Sequence, residues 1–225
     1  PGELLFKDRF PRHVVDRDKA VMGSYAAAGQ FQQRPTQRGG AIFREEWWRG
    51  YTTLPEMEWL AIYADTAAKK GQENDWTVLQ LWGKGAHGGA YLIDMLRGRY
   101  DAPELLRMAK LFWEKHAAID YGAAVRALKV EDASSGTGLI QQLRHEGQIP
   151  VKAIKRGGSD KVSRANDVVP YVEAGMVYIP EEFAGRTDFI SETSSFPRGA
   201  HDDIVDPMMD AISDMLAPKQ KARPR

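Results

Sequence analysis

The strongest constraint on the fold of this chain is a change in the pattern of apolar residues near residue 100. Before that point, three short apolar runs (59–64, 76–82 and 90–96) follow one another closely. They are rich in β-branched and aromatic residues, which predicts strands, and their short connections favour an antiparallel meander. After that point, predicted helices and strands alternate. We therefore expect an α/β chain with a mixed sheet that is flanked by helices.

The alternating half opens with Pro103, a residue that is favoured in the first turn of a helix. Further helices are predicted over 138–145, 160–174 and 202–216, and strands over 127–130, 151–154 and 176–179. Helix–strand units of this kind extend a meander into a larger mixed sheet.

Residues 1–54 have a different character, with many polar and turn-forming residues and one aromatic cluster, Phe43 with Trp47 and Trp48. We interpret this stretch as an extended arm or linker that packs onto a domain through those aromatic side chains. An ordinary irregular extension is the alternative. The domain is expected over 55–217, followed by a frayed basic tail over 218–225.

Composition excludes several classes of function. Among 225 residues there is no cysteine, which removes disulfides, cysteine-bound zinc, iron–sulfur clusters and thiol catalysis. The 31 basic residues balance 31 acidic ones, so binding to nucleic acid requires local basic patches. No apolar run approaches the roughly 18 residues that a membrane span needs, and no membrane partner is expected.

Acidic residues stand where predicted elements end or begin. Asp65 ends the first predicted strand, Glu131 and Asp132 end the fourth, and Asp202 and Asp203 open the last helix, with Asp206 one turn later. If the first and fourth strands are parallel neighbours, Asp65 and Glu131 meet at one edge of the sheet, where α/β proteins bind ligands. The last helix would bring Asp203 to the same place.

Converging carboxylates need a cation, because their mutual repulsion otherwise raises their pKa values. Hard oxygen ligands select Mg²⁺ or Mn²⁺, and two such ions about 4 Å apart support hydrolysis of a phosphodiester. Each acid alone also has an ordinary explanation, as a turn residue, a helix cap or a first-turn acid. Only their joint placement favours a metal site.

Four stretches carry a resemblance to a known family. They are GSYAAAGQFQQRPTQRGGAIFREEWW (23–48), ADTAAKKGQENDWTVLQLWG (64–83), VEDASSGTGLIQQL (130–143) and HDDIVDPMMDAI (201–212). The last three resemble the C-terminal nuclease domain of bacteriophage large terminase subunits, which has an RNase H-like fold. The first resembles the segment between the ATPase motor and the nuclease in these proteins. The resemblance implies a metal-dependent endonuclease that cuts double-stranded viral DNA concatemers during genome packaging, with two Mg²⁺ or Mn²⁺ ions.

The resemblance also implies the residues of the site. The first metal-binding acid of the family falls on Asp65, the second on Glu131 and the third on Asp203. Asp132 stays open as an alternative to Glu131, and Asp202 and Asp206 stay open as alternatives to Asp203.

Two accessory residues and one basic stretch complete the expected site. Asp75 resembles an accessory acid, although a solvated turn residue is an equal alternative, and His201 is a candidate proton carrier. A set of basic side chains is expected to grip DNA phosphates without reading sequence, unless it is only a solvated surface. Its members are Lys152, Lys155, Arg156, Lys161 and Arg164.

The family implies an ATPase motor domain in the same polypeptide, a small terminase subunit and a portal as partners, in the cytoplasm of the host cell. The phosphate-binding pattern G-x-x-x-x-G-K-[ST] does not occur in this sequence, so we expect no ATPase activity from this chain. Two other functions remain open: an RNase H-like nuclease of the resolvase or transposase type, and a non-catalytic docking module of a packaging motor.

Overall fold

The structure is a computed structural model and describes residues 6, 9–32, 41–66, 76–133, 135–156, 158 and 160–218. Its helices are α1 (Arg12–Gln32), α2 (Ala102–Ala117), α3 (Ser135–Glu146), α4 (Lys161–Glu173), α5 (Arg186–Ser195) and α6 (Val205–Leu216), with a 3₁₀ turn at Glu45–Trp47. Its strands are β1 (Arg49–Tyr51), β2 (Met57–Asp65), β3 (Thr77–Gly85), β4 (Ala90–Gly98), β5 (Val125–Glu131), β6 (Val151–Ile154) and β7 (Val177–Pro180).

The strands form one mixed sheet in the order β1-β7-β4-β3-β2-β5-β6. β3 runs antiparallel to both of its neighbours, whereas the other pairings are parallel. The predicted meander is therefore confirmed as β2–β3–β4, and the later strands extend it on both sides. The predicted α/β class, a mixed sheet flanked by helices, is confirmed.

Helices cover both faces of the sheet, because the side chains of each strand alternate between them. Along β2, Trp59, Ala61 and Tyr63 face a core that is shared with α4, α5 and α6. Leu60 and Ile62 face a second core that is shared with α2 and α3. Both cores consist of closely packed apolar side chains, so the sheet is firmly held between two helical layers.

Local capping explains where two of these helices begin. The carboxylate of Asp101 accepts a hydrogen bond from the backbone N–H of Glu104 at 2.8 Å, just before α2. Asp160 accepts one from the N–H of Ser163 at 3.0 Å, just before α4. Each side chain satisfies a backbone donor that the first helical turn leaves without a partner.

The amino-terminal stretch departs from its predicted extended form. Phe43 and Trp48 are buried in the core of the α4–α6 face, which confirms that aromatic side chains anchor this stretch. Residues 12–32, however, form α1, so the extended conformation was wrong there. Gly23, with φ 75°, breaks α1 beside Pro170 of α4. Gly23, one of the turn-forming residues that suggested an arm, thus marks a break between two helical halves.

Two further elements were not predicted. β1 pairs in parallel with β7 at one edge of the sheet, so part of the predicted arm belongs to the sheet itself. α5 lies between β7 and α6 along the chain, and Phe189 from this helix is fully buried. In the described ranges, no helix is long and apolar enough to cross a membrane.

Candidate active site

Asp65 and Glu131 lie side by side at one edge of the sheet. β2 and β5 are parallel neighbours, and Ala64 on β2 is the register partner of Val130 on β5. The next residues of the two strands, Asp65 and Glu131, therefore end the pair together, as the sequence predicted. Strand alternation turns both side chains towards the face that α6 covers, since Ala64 and Val130 pack on the opposite face.

A stripe of carboxylates on α6 faces the same sheet edge. Asp206, Asp210 and Asp214 are spaced by four residues, so they share one face of the helix. Asp206 is buried, and Asp214 accepts a hydrogen bond from the hydroxyl of Tyr63 on β2 at 2.7 Å. We call Asp65, Glu131, Asp206 and Asp210 the acid cluster.

Arg156 joins three of the four members of this cluster. Its Nη1 lies 2.7 Å from Glu131 Oε2 and 3.2 Å from Asp206 Oδ2, and its Nη2 lies 2.9 Å from Asp210 Oδ2. The Arg156 side chain is only 9% exposed. The guanidinium therefore bridges the end of β5 and two turns of α6 in a largely desolvated place.

Two cations from α4 complete the arrangement. Lys161 Nζ lies 2.9 Å from Asp206 Oδ2, and Arg164 Nη2 lies 2.6 Å from Asp206 Oδ1. Both carboxylate oxygens of Asp206 are thus bound to cations. We call Arg156, Lys161 and Arg164 the cation cluster.

The protonation of the acids reflects this mixture of burial and charge. Burial raises the pKa of Asp65 to about 7; Arg156 opposes this rise, while Asp206 and Glu131 add to it. Burial also acts on Asp206, but Lys161 and Arg156 outweigh it and lower the pKa of that carboxyl. Burial raises the pKa of Asp210 as well, and Arg156 opposes that rise.

Asp203 lies on the flank of this site. Its Oδ2 is 3.5 Å from Arg97 Nη2, and the same nitrogen is 2.9 Å from the buried Glu192. Burial raises the pKa of Asp203, and Arg97 opposes that rise. The structure thus brings Asp206, rather than Asp203, together with Asp65 and Glu131, and Asp203 as the third acid stays a prediction.

The remaining predicted acids and His201 lie at the surface. Asp132 is exposed and accepts a hydrogen bond from Thr137 at 3.0 Å, next to the start of α3. Asp202 is also exposed and pairs with Lys161 at 2.9 Å. His201 is half exposed, with Nδ1 3.9 Å from Asp203. Asp75 lies outside the described residues.

The predicted basic stretch divides into two groups. Arg156, Lys161 and Arg164 are engaged by the acids, whereas Lys152 and Lys155 are exposed. Of these five side chains, Lys152 and Lys155 are therefore the two that are exposed to solvent.

Sequence reasoning missed Asp210, and it missed that the cation cluster holds the acids. The signal for Asp210 was present as the spacing D-x-x-x-D-x-x-x-D over 206–214, which puts three carboxylates on one helical face. An acidic stripe on the buried side of an otherwise apolar helix is unusual, since unpaired carboxylates are rarely buried.

The donor set fits a hard divalent cation in chemistry, because the acid cluster offers only carboxylate oxygens. Across the residues described here, no group of three or more His, Asp or Glu is arranged to hold an ion as it stands. The cation cluster occupies several of the oxygens instead.

Comparison with known proteins confirms the predicted RNase H-like fold. The sequence profile of the terminase RNase H-like domain family matches residues 62–214, a range that includes the whole acid cluster. No curated protein sequence matches the chain.

Solved structures share the fold at low identity. The chain is similar to the large terminase of a thermophilic bacteriophage, with a TM-score of 0.64 and 16% identity over 91% of this chain and 52% of that one. It is also similar to the large terminase nuclease of the thermophilic phage G20c with bound magnesium, with a TM-score of 0.56 and 16% identity over 78% of this chain and 98% of that one.

The zinc-bound form of the G20c nuclease gives a TM-score of 0.55 and 18% identity over 76% of this chain and 97% of that one. At these identities the structures show the fold, and this chain spans about half the length of the first of these large terminases. The sequence profile matches well over half of the residues. The chain therefore belongs to the terminase RNase H-like domain family.

Proposed function

We propose that this domain is a metal-dependent DNA endonuclease that cuts double-stranded viral DNA concatemers during genome packaging. The observation that carries the proposal is the convergence of carboxylates from β2, β5 and α6 at one sheet edge, with Asp65 and Glu131 ending a parallel strand pair. Nuclease structures of the phage G20c relative hold magnesium, zinc or cobalt, which supports a divalent cofactor. The cofactor that we expect for this chain is a pair of Mg²⁺ or Mn²⁺ ions.

Asp65, Glu131 and Asp206 are the residues that we expect to hold the ions, with Asp210 beside them. Asp203 is the alternative third acid, by resemblance. When bound, the ions supply an activated water and stabilise the departing 3′ oxygen. The domain itself holds the acids in place through the sheet and α6, and no side-chain nucleophile is needed.

Lys152 and Lys155 are placed to attract the DNA backbone. Both are exposed and lie on or just after β6, the strand next to β5. Contacts from such lysines reach phosphates rather than base edges, so binding that depends little on sequence is expected.

The chain covers about half of the similar large terminase from a thermophilic bacteriophage, and the remaining functions of the motor are proposals by family. We propose an ATPase motor domain in the same polypeptide, a small terminase subunit and a portal as partners, and the host cytoplasm as the location. Residues 1–54 would then connect the motor to the nuclease, and this domain alone would not hydrolyse ATP.

Cleavage of supercoiled plasmid tests the nuclease. We expect nicked and linear DNA with Mn²⁺, no cleavage with EDTA, and loss of cleavage in Asp65→Ala. The matched control is Asp167→Ala, which removes an exposed carboxylate from α4 and should cut normally. Cleavage that survives Asp65→Ala contradicts this site. No cleavage with any divalent metal favours the docking module, which the ion pairing of the acids would equally suit.

A further inference from the structure

Arg156 is bound by the acids in the way that a metal ion would be. Its guanidinium contacts carboxylate oxygens from Glu131, Asp206 and Asp210 at 2.7 to 3.2 Å, and its Nε donates a further hydrogen bond to Asp210 at 3.2 Å. A single buried cation thus gathers carboxylates from two elements, which is the task that the proposed function gives to a divalent ion.

The arrangement already fills these oxygens with cations and so disfavours a further one. Asp206 uses both of its carboxylate oxygens for Lys161, Arg164 and Arg156. An ion that approached these oxygens would meet the positive charge of Arg156 at a few ångströms in a place that water screens poorly. The guanidinium and a divalent ion therefore compete for the acid cluster.

Part of the cation cluster is left without hydrogen-bond partners. Nε and Nη1 of Arg164 are buried and make no hydrogen bond with the part of the chain described here, and Nη1 lies 3.8 Å from Asp210. A buried guanidinium is costly to leave partly unsatisfied. A phosphate group, with several strong acceptor oxygens, would match these donors once displacement of Arg156 opens the cluster.

Arg156 stands on a connection rather than in a regular element. β6 ends at Ile154 and α4 begins at Lys161, with Arg156 between them. In this connection Gly158 has φ 63°, a conformation that glycine adopts without strain. Moving the Arg156 side chain therefore breaks its ion pairs without breaking a strand or a helix.

We infer that Arg156 is a displaceable lock on the acid cluster. A divalent ion must displace the Arg156 guanidinium from the acids, and a DNA backbone phosphate then binds the displaced guanidinium. The inference rests on the proposed function, because it takes the acid cluster as the metal site. Such a displacement makes the binding of metal and the binding of DNA favour each other. The metal frees Arg156 for the phosphate, and the phosphate keeps Arg156 away from the acids.

Calorimetric titration of Mn²⁺ into the natural chain, Arg156→Gln and Arg144→Gln tests the lock. Arg156→Gln should bind Mn²⁺ about tenfold more tightly, a change of ~1.4 kcal/mol. Arg144→Gln removes an exposed cation from α3, on the opposite face of the sheet, and should leave the affinity unchanged. Equal or weaker Mn²⁺ binding by Arg156→Gln overturns the inference.

A second variant protects the test against misfolding. Removal of Arg156 leaves buried carboxylates facing each other, so Arg156→Gln is at risk of unfolding in metal-free buffer. Arg156→Lys keeps the charge but loses the planar fork that bridges several carboxylates. Mn²⁺ should raise its unfolding temperature more than that of the natural chain, and an equal rise counts against the lock.

Coupling to DNA is measured with a 20-base-pair duplex and Ca²⁺, which is also a hard oxygen-binding cation. Saturating duplex should tighten Ca²⁺ binding to the natural chain, and this enhancement should shrink in Arg156→Gln. The same enhancement in both proteins overturns the transfer of Arg156 to phosphate.

The lock and the nuclease proposal fail in different ways. If the natural chain binds Mn²⁺ and Arg156→Gln binds it more tightly, but plasmid stays intact, the lock stands and the nuclease proposal fails. If plasmid cleavage depends on Asp65 while Arg156→Gln leaves Mn²⁺ affinity unchanged, the nuclease stands and the lock fails.

Discussion

The hydroxyl of Tyr63 on β2 donates a hydrogen bond to Asp214 on α6 over 2.7 Å. Burial and the neighbouring Asp214 raise the pKa of Tyr63 well above its usual value, so the hydroxyl keeps its proton. Lys129 of β5 forms an ion pair with the same carboxylate. This contact ties two strands of the site to the helix that carries Asp206 and Asp210.

Loss of this hydrogen bond should weaken the fold modestly. Tyr63→Phe keeps the ring but removes the donor, and we expect a loss of about 1 kcal/mol in the free energy of unfolding, measured with urea. Tyr171→Phe, which removes the hydroxyl of a partly buried tyrosine on α4, is the matched control. An equal effect of both substitutions would show that the bond to Asp214 is not special.

The raised pKa of Asp65 predicts a pH effect on stability. The folded protein keeps a proton on this carboxyl up to about pH 7, whereas the unfolded chain releases it near pH 4. Ionisation of this group therefore destabilises the fold as pH rises through that window, by up to about 1.4 kcal/mol per pH unit. Asp65→Asn cannot ionise, so its stability relative to the natural chain should increase from pH 5 to pH 8.

This comparison is made by denaturant unfolding in EDTA at several pH values, with Asp167→Asn as the exposed control. Parallel pH profiles for the natural chain and Asp65→Asn would contradict the raised pKa.

Geometry and family resemblance differ over the third acid, and cleavage rates separate them. Asp206 shares Arg156 with Glu131, whereas Asp203 pairs with Arg97. We expect Asp206→Asn to lower the rate of plasmid cleavage by about 100-fold or more, and Asp203→Asn to lower it less. The opposite order would support the assignment of Asp203 by resemblance, and circular dichroism checks that both variants fold.

Two glycines in one turn offer an internally controlled test of how Glu131 is held. A Cβ at Gly136 would overlap the backbone carbonyl oxygen of Glu131, whereas a Cβ at Gly138 meets nothing within 4 Å. Gly136→Ala should therefore cost about 1–3 kcal/mol of stability and reduce cleavage. Gly138→Ala, inside α3, should be neutral or stabilising by about 0.5–1 kcal/mol. Equal stability of the two variants would mean that the close approach at Gly136 is unimportant.

The salt dependence of DNA binding reports on the exposed lysines. Neutralising Lys152 and Lys155 together should reduce the slope of log affinity against log salt concentration by about 2, if each contacts one phosphate. This slope is measured by fluorescence anisotropy of a labelled duplex in Ca²⁺ at several salt concentrations. Lys110→Gln, on α2 in an ion pair with Glu146, should leave the slope unchanged, and an unaltered slope in the double variant would remove these lysines from the interface.

Strand patterns and strand ends were enough to predict the meander and the meeting of Asp65 with Glu131, because parallel neighbours end at a common edge. The ion pairs of Arg156 were not predictable, because they depend on how far β6, α4 and α6 lie from one another in space. α1 was not predicted for a related reason. Its helical form is supported by packing against α4, and sequence propensity alone is a weak guide to such a helix.

The acid cluster draws on residues from 65 to 210, supplied by β2, β5 and α6. A nascent chain still inside the ribosome, or one clipped before α6, holds some of these carboxylates but never the complete set. Any chemistry that needs all of them is therefore withheld until synthesis has passed α6 and that helix has docked.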